Sequence, residues 1–247
     1  MFMKRPENDV ALHDGEAFMV ESTQYKAHLK ARAGDKQPVR SCLHSLNQWL
    51  IVCHTQKSKC SKHKAVNQAT SDRKALLEVT GIGACACARH SFFVPGSVVD
   101  FQKGEQQANM DYALCSAMSQ MKGVKSLLFC YDVACQWCIN FKARLRKGAS
   151  FLPWSVDDLT VAVGKFHLGA HVEECFALYS ANFILGAGQI DGENLEPLWA
   201  PLNKSFPAMR GMQDSFWRQC IDWLMNESNW EKLINIGMYL YFVLLSQ

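Results

Sequence analysis

Apolar positions along this chain recur with two different spacings. Between Gly104 and Met121, residues Leu114, Ala117, Met118 and Met121 fall at i, i+3, i+4 and i+7, which is one face of a helix. Val133, Trp137, Phe141 and Leu145 then recur every four residues through VACQWCINFKARLRK, predicting a second amphipathic helix. Between them, SLLFCY (126–131) is a short continuous apolar run bounded by Asp132, as expected of a buried strand. VAVGKFHL (161–168) is a further strand candidate. SFFV and SVVDF, separated by the turn signal Pro95-Gly96, predict a pair of strands.

The rest of the chain is less regular. Residues 1–40 are polar, with one short helix-compatible run, YKAHLKAR, from Tyr25. Residues 42–58 are apolar without a period. In CSKHKAVNQATSDRKALLEVTG the middle suits a helix ended by Gly81. Gly186 and Gly188 break the chain before DGENLEPLWAPLN. The region 212–236 reads as helical, with Asn226 and Ser228 as internal cap candidates. Strands interleaved with helices predict an α/β fold built on a mixed sheet.

Composition narrows the class only a little. The chain has 247 residues, 49% of them hydrophobic, long enough to bury a core without disulfide staples. A net charge of +3 permits a nucleic-acid partner without arguing for one. The apolar tail INIGMYLYFVLLSQ holds about a dozen uncharged residues, and a membrane span needs roughly 20, so no membrane partner is expected. Eleven cysteines and no apolar leader at MFMKRPENDV favour reduced thiols, and clustered Cys and His then point to metal before disulfide.

Cys60-Ser-Lys-His63 and Cys87-Ala-Arg-His90 are matching C-x2-H pairs. Two-residue spacing turns both side chains of a pair toward one ion, and the four together would close a tetrahedral zinc shell. Cys85 is a spare thiol able to replace one of them. His167, His171 and Cys175 form a second series at i, i+4 and i+8, although Gly169 argues against a helix that would stack them. It divides evenly between unconnected residues and a second metal or active-site role. Among the acids, Asp132 stands at the end of an apolar strand, where side chains of α/β sheets project into a crevice. Asp191, Glu193 and Glu196 lie within six residues. Converging carboxylates are what a divalent metal pair needs for phosphoryl transfer. Asp191 as a helix cap and Glu193 as a first-turn acid are the structural alternatives.

ACACARHSFFVPGSVVDFQKGEQQANMDY, YDVACQW, KFHLGAHVEEC and GQIDGENLEPLWAPLN, in that order, resemble the KDZ (Kyakuja–Dileera–Zisupton) transposases, mobile-element proteins expanded in fungal genomes. The resemblance runs from roughly residue 60 to 236, with fainter echoes in 2–30. It implies an RNase H-like mixed sheet flanked by helices, with a DDE acid set that binds two Mg²⁺ or Mn²⁺ ions. Asp132 matches the family's second catalytic Asp; the final acid falls in DGENLE, with Glu193 favoured over Glu196. Cys60, His63, Cys85, Cys87 and His90 fall in what looks like the family's cysteine/histidine cluster, which implies a structural Zn²⁺ insert over 60–90. DNA is the implied partner and the nucleus the implied location, with a homo-oligomer as a further expectation.

The departures shape the expectation too. The family's first Asp lies on the first central strand, and MFMKR looks like the tail of that motif, so the sheet is expected to be incomplete at the N-terminus. Residues 1–59 then form a remnant N-terminal segment carrying a foreign insert at 42–58. Residues 60–236 form the transposase region, and 237–247 a non-family apolar tail. The run from Trp49 to Cys53 is the expected substitute for the lost strand. The function expected is that of a fragment or degenerate copy of a DDE transposase, inactive alone. The alternatives are a non-enzymatic zinc-containing DNA- or protein-binding module, or a translated pseudogene.

Overall fold

The computed structural model describes residues 9–32, 79–102, 104–147, 154 and 156–245. Among them the elements run α1 (Ser22–Arg32), β1 (Gly81–Gly83), β2 (Val99–Phe101), α2 (Gln107–Gln120), β3 (Ser126–Cys130), α3 (Ala134–Lys147) and β4 (Asp158–Ala162). After these come α4 (Lys165–Leu168), α5 (Glu173–Tyr179), a 3-10 turn at Ala181–Phe183, α6 (Leu195–Met209) and α7 (Asp214–Leu245). The molecule is mixed α/β, with two small two-stranded sheets flanked by helices.

The sheet that positions the acids is β3–α3–β4. β3 and β4 pair in parallel, from Ser126 opposite Asp158 to Cys130 opposite Ala162. Parallel neighbours need a crossover, and α3 supplies it. The four-residue spacing of Val133, Trp137 and Phe141 is explained here: all three are buried, Trp137 completely. Trp137 and Phe141 pack ring on ring, centroids 4.2 Å apart, within a core that also takes Leu114, Ala117 and Met118 from α2. α1 packs on α2, adding Tyr25 to the same core, and the Tyr25 hydroxyl accepts from Asn109 Nδ2 (2.6 Å) and donates to Asp100 O (2.7 Å).

The second sheet differs from expectation. SFFV and SVVDF do not pair with each other. β2, inside SVVDF, pairs antiparallel with β1, where Gly81 begins a strand. Phe93 of SFFV instead bridges back to Ala86. The Pro95-Gly96 turn, with Gly96 at φ 63°, redirects the chain, and Val98 pairs in parallel with Met19 of the N-terminal segment. A polar-looking stretch thereby contributes the buried Phe18, Met19 and Val20.

α7 also departs from expectation, being continuous through Asn226 and Ser228 rather than capped there. One turn on, Asn229 faces the backbone of Phe93, accepting from its N–H (2.8 Å) and donating to its carbonyl (2.9 Å). Asp222 accepts from Phe18 N (2.9 Å) and Met19 N (2.7 Å), and Arg218 donates to Asp14 (2.9 Å) and to Val20 O. α7 therefore laces the N-terminal segment and the 85–94 hairpin together. No helix among the described residues is long and apolar enough to cross a membrane. Residues 42–58, with the run from Trp49 to Cys53, lie outside the described residues.

Candidate functional site

Asp132 follows β3 by two residues. Tyr131 N still bonds Ala162 O across the sheet (2.9 Å), so the strand's alignment carries through to the residue before the acid. Asp132 is open to solvent there, just before α3 begins. β4 ends at Ala162, and the expected strand over 161–168 stops short because KFHL coils into α4. His167 thus reaches the strand ends from a helix. Its Nδ1 lies 2.9 Å from Glu193 Oε2 and its Nε2 lies 3.5 Å from Asp132 Oδ2.

Glu193 is held from several directions. Lys165 N donates to Asp191 O (2.8 Å), which lays the acidic loop against α4. Asp191 Oδ1 accepts from Glu193 N (3.0 Å), turning the loop back on itself. Glu193 Oε1 accepts from Phe166 N (3.0 Å), satisfying a helix-end N–H that has no partner within α4. This approach requires two glycines. A Cβ at Gly164 would stand 2.1 Å from Glu193 Oε1, and Gly192, at φ 77°, backs onto Gly164 Cα and Cys130. Glu196 is exposed on the first turn of α6, outside the cluster. Pro197 follows it there, where a missing N–H is tolerated.

Negative charge accumulates around the imidazole. Burial pushes the Cys130 thiol up to about 11, with Glu193 and Asp191 adding to the rise. Burial also raises Glu105, opposed by the hydrogen bond from Tyr131 and reinforced by Asp132. Such a setting favours a cation, but Asp132, His167 and Glu193 do not converge as a ligand set. The imidazole stands between the two carboxylates, one at each ring nitrogen.

The thiols divide differently from the sequence pattern. Cys87 Sγ lies 3.5 Å from His90 Nδ1 at the tip of the 85–94 hairpin. Cys85 is built into the core beneath, and burial pushes its thiol up to about 12. Cys60 and His63 lie outside the described residues. The hairpin tip abuts the acidic loop, with Asn194 Nδ2 donating to Ser91 Oγ (2.6 Å).

Among the described residues, one set of His, Cys, Asp or Glu has three ligand atoms all within 4.8 Å of one another: Cys135, His171 and Cys175. His171 and Cys175 belong to the i, i+4, i+8 series, but His167 turns to the acids and Cys135 of α3 takes its place. The signal for Cys135 was present in Cys135-Gln-Trp-Cys138, a C-x2-C pair. All eight described cysteines are outside disulfides.

The family model of the Kyakuja-Dileera-Zisupton transposases matches residues 2–229. The chain belongs to the KDZ transposase family. The match reaches back to residue 2, so it takes in the segment that α7 holds as well as the motif-bearing region 60–236. No curated protein and no solved structure matches the chain. For a KDZ transposase, the two features of interest are the imidazole-bridged acid pair and the Cys-His-Cys cluster.

Proposed function

We propose that this KDZ chain carries part of a DDE-type site for phosphodiester cleavage and strand transfer on DNA, set in an RNase H-like sheet. Asp132 and Glu193 are two of its acids, and the nucleus is its place of action. The observation that carries this reading is that Asp132 and Glu193, 61 positions apart, reach opposite nitrogens of one imidazole beside the ends of β3 and β4. Purely structural acids have no need to meet at a strand end. Glu193 is preferred to Glu196 because it faces His167 while Glu196 faces solvent.

Mg²⁺ or Mn²⁺ would be held by the carboxylates of Asp132 and Glu193, oxygen donors of the kind hard cations take. When bound, such ions polarise an attacking hydroxyl and steady the leaving oxygen. His167 stands between the two acids and orients them, one at each ring nitrogen. Gly164 and Gly192 let the Glu193 carboxylate approach α4. Cys87 and His90 would supply one half of a zinc clip, with Cys60 and His63 as the other, while Cys85 stays in the core.

The test is nicking of a supercoiled plasmid in Mn²⁺ by the chain and its variants. Asp132→Ala and Glu193→Ala should each reduce cleavage to background, while Glu196→Ala retains it. Loss of activity with Glu196→Ala but not Glu193→Ala would reverse the assignment. A parent chain that shifts DNA in a gel but never nicks it would favour a non-enzymatic binding module.

A further inference from the structure

Three features separate the Cys135, His171 and Cys175 cluster from an accident of packing. The first is distance. Tetrahedral zinc, with bonds of about 2.3 Å to sulfur and 2.0–2.1 Å to nitrogen, sets its S and N ligands about 3.6 Å apart. Cys135 Sγ lies 3.4 Å from His171 Nδ1, and all three ligand atoms fall within 4.8 Å of one another. The second is chain economy. The ligands come from two short segments, Cys135-x2-Cys138 and His171-x3-Cys175, each with the spacing of a zinc half-site. The third is surroundings. Cys135 and Cys175 are buried among Ala134, Val163, Leu168 and Tyr179. Two thiols of one buried packing cluster, turned toward one imidazole, suit a closed site better than an open catalytic one.

We infer that Cys135, His171 and Cys175 form a structural zinc site that pins the start of α3 to the α4–α5 segment. Cys138 packs against the same cluster with its Sγ 3.6 Å from Tyr179 Oη, outside the set of three, and a turn of its side chain would bring it in as the fourth donor. The shell is then of the Cys3His kind, three thiolates and a neutral imidazole around a 2+ ion. The site is distinct from the C-x2-H clip and shares no residue with the acid pair. It nevertheless governs that pair, because Cys135 is three residues after Asp132 and His171 four residues after His167. An ion between them fixes how far the end of β3 stands from α4.

The test uses the whole chain, purified under reducing conditions without chelator. Elemental analysis and Co²⁺ titration count bound metal, and Co²⁺ reports tetrahedral thiolate coordination by its ligand-field and charge-transfer bands. Cys135→Ser and Cys175→Ser should each lower the stoichiometry by one equivalent. Cys87→Ser should leave that equivalent in place, which separates this site from the hairpin clip. Cys138→Ser should weaken cobalt binding and alter its spectrum. If the serine variants do not fold, alkylation mapping of the parent replaces them. Zinc should shield Cys135 and Cys175 from iodoacetamide, and a chelator should expose both. Unchanged stoichiometry in Cys135→Ser and Cys175→Ser, or labelling of these thiols that ignores the chelator, would overturn the site. Neither outcome bears on whether Asp132 and Glu193 cleave DNA.

Discussion

Two single residues show how burial and close approach become measurable. His28 is almost fully buried on α1, with Nε2 3.1 Å from Ala108 O. Burial holds its pKa below the ordinary value, with Arg32 adding to the drop against the opposing pull of Ala108 O and Asp111. The folded state therefore binds the proton later than the unfolded chain as pH falls. The stability from the neutral ring is complete above about pH 6.5 and is lost as pH drops from there toward the folded value. Melting temperature should fall from pH 7.5 to 5.5, and His28→Gln should flatten that slope; an unchanged slope would assign the acid sensitivity elsewhere. Gly164 acts through space rather than charge. Gly164→Ala would place a methyl group on the Glu193 carboxylate, forcing the acid from α4. A misplacement of about 1 Å can reduce catalysis about 100-fold. Mn²⁺-dependent nicking should fall by that order, with thermal melting changed far less. Nothing in the sequence marks Gly164 as different from Gly169, which a Cβ would barely crowd.

At the level of elements, the helices were the most legible part and the sheet pairings the least. The faces of α2 and α3 follow from residues three and four apart, because a helix displays its own neighbours. Strand partners are non-local, so the pairing of Val98 with Met19 and of β1 with β2 left no trace in local pattern. The same reason hid the network that joins the helices. Asp111, fully buried on α2, accepts from Arg144 Nε (2.5 Å) and Nη2 (2.8 Å) and from Trp137 Nε1 (2.8 Å), and Arg32 of α1 stands 3.6 Å away. Arg144 also donates to Gln107 Oε1 of α2 (2.9 Å) and, within α3, to Trp137 O (3.0 Å). Asp111→Ala would leave two largely buried guanidinium groups without their carboxylate. The expected loss is about 3–5 kcal/mol, read as a lower urea midpoint. A loss below about 1 kcal/mol would mean that water replaces the carboxylate. In the candidate site, Asp132 and Glu193 were legible as acids in motifs. His167 is expected from the sequence on a strand facing the same crevice; its ring does meet both acids, but from α4, because KFHL coils.

Across the whole molecule, the KDZ match over residues 2–229 accords with how the described residues are laced. The N-terminal segment, the 85–94 hairpin and α7 share one apolar cluster containing Phe18, Met19, Phe93, Val98, Ile221 and Met225. Their polar ties are equally long in sequence: Asp222 to Phe18 and Met19, Arg218 to Asp14, and Asn229 to Phe93, with separations of 136 to 204 residues. On the ribosome these partners do not exist together. At roughly 5–20 residues per second, Met19 emerges about 10–40 s before Asp222 has been made. Throughout that interval the amides of Phe18 and Met19 lack their native acceptor, and their side chains lack the α7 wall. The α1–α2–α3 core closes on Val156, Leu159 and Val161 and takes nothing from α7, so it can consolidate first. Vectorial synthesis thus imposes an order on this chain, with the last long helix closing a structure whose opening segment has waited for it.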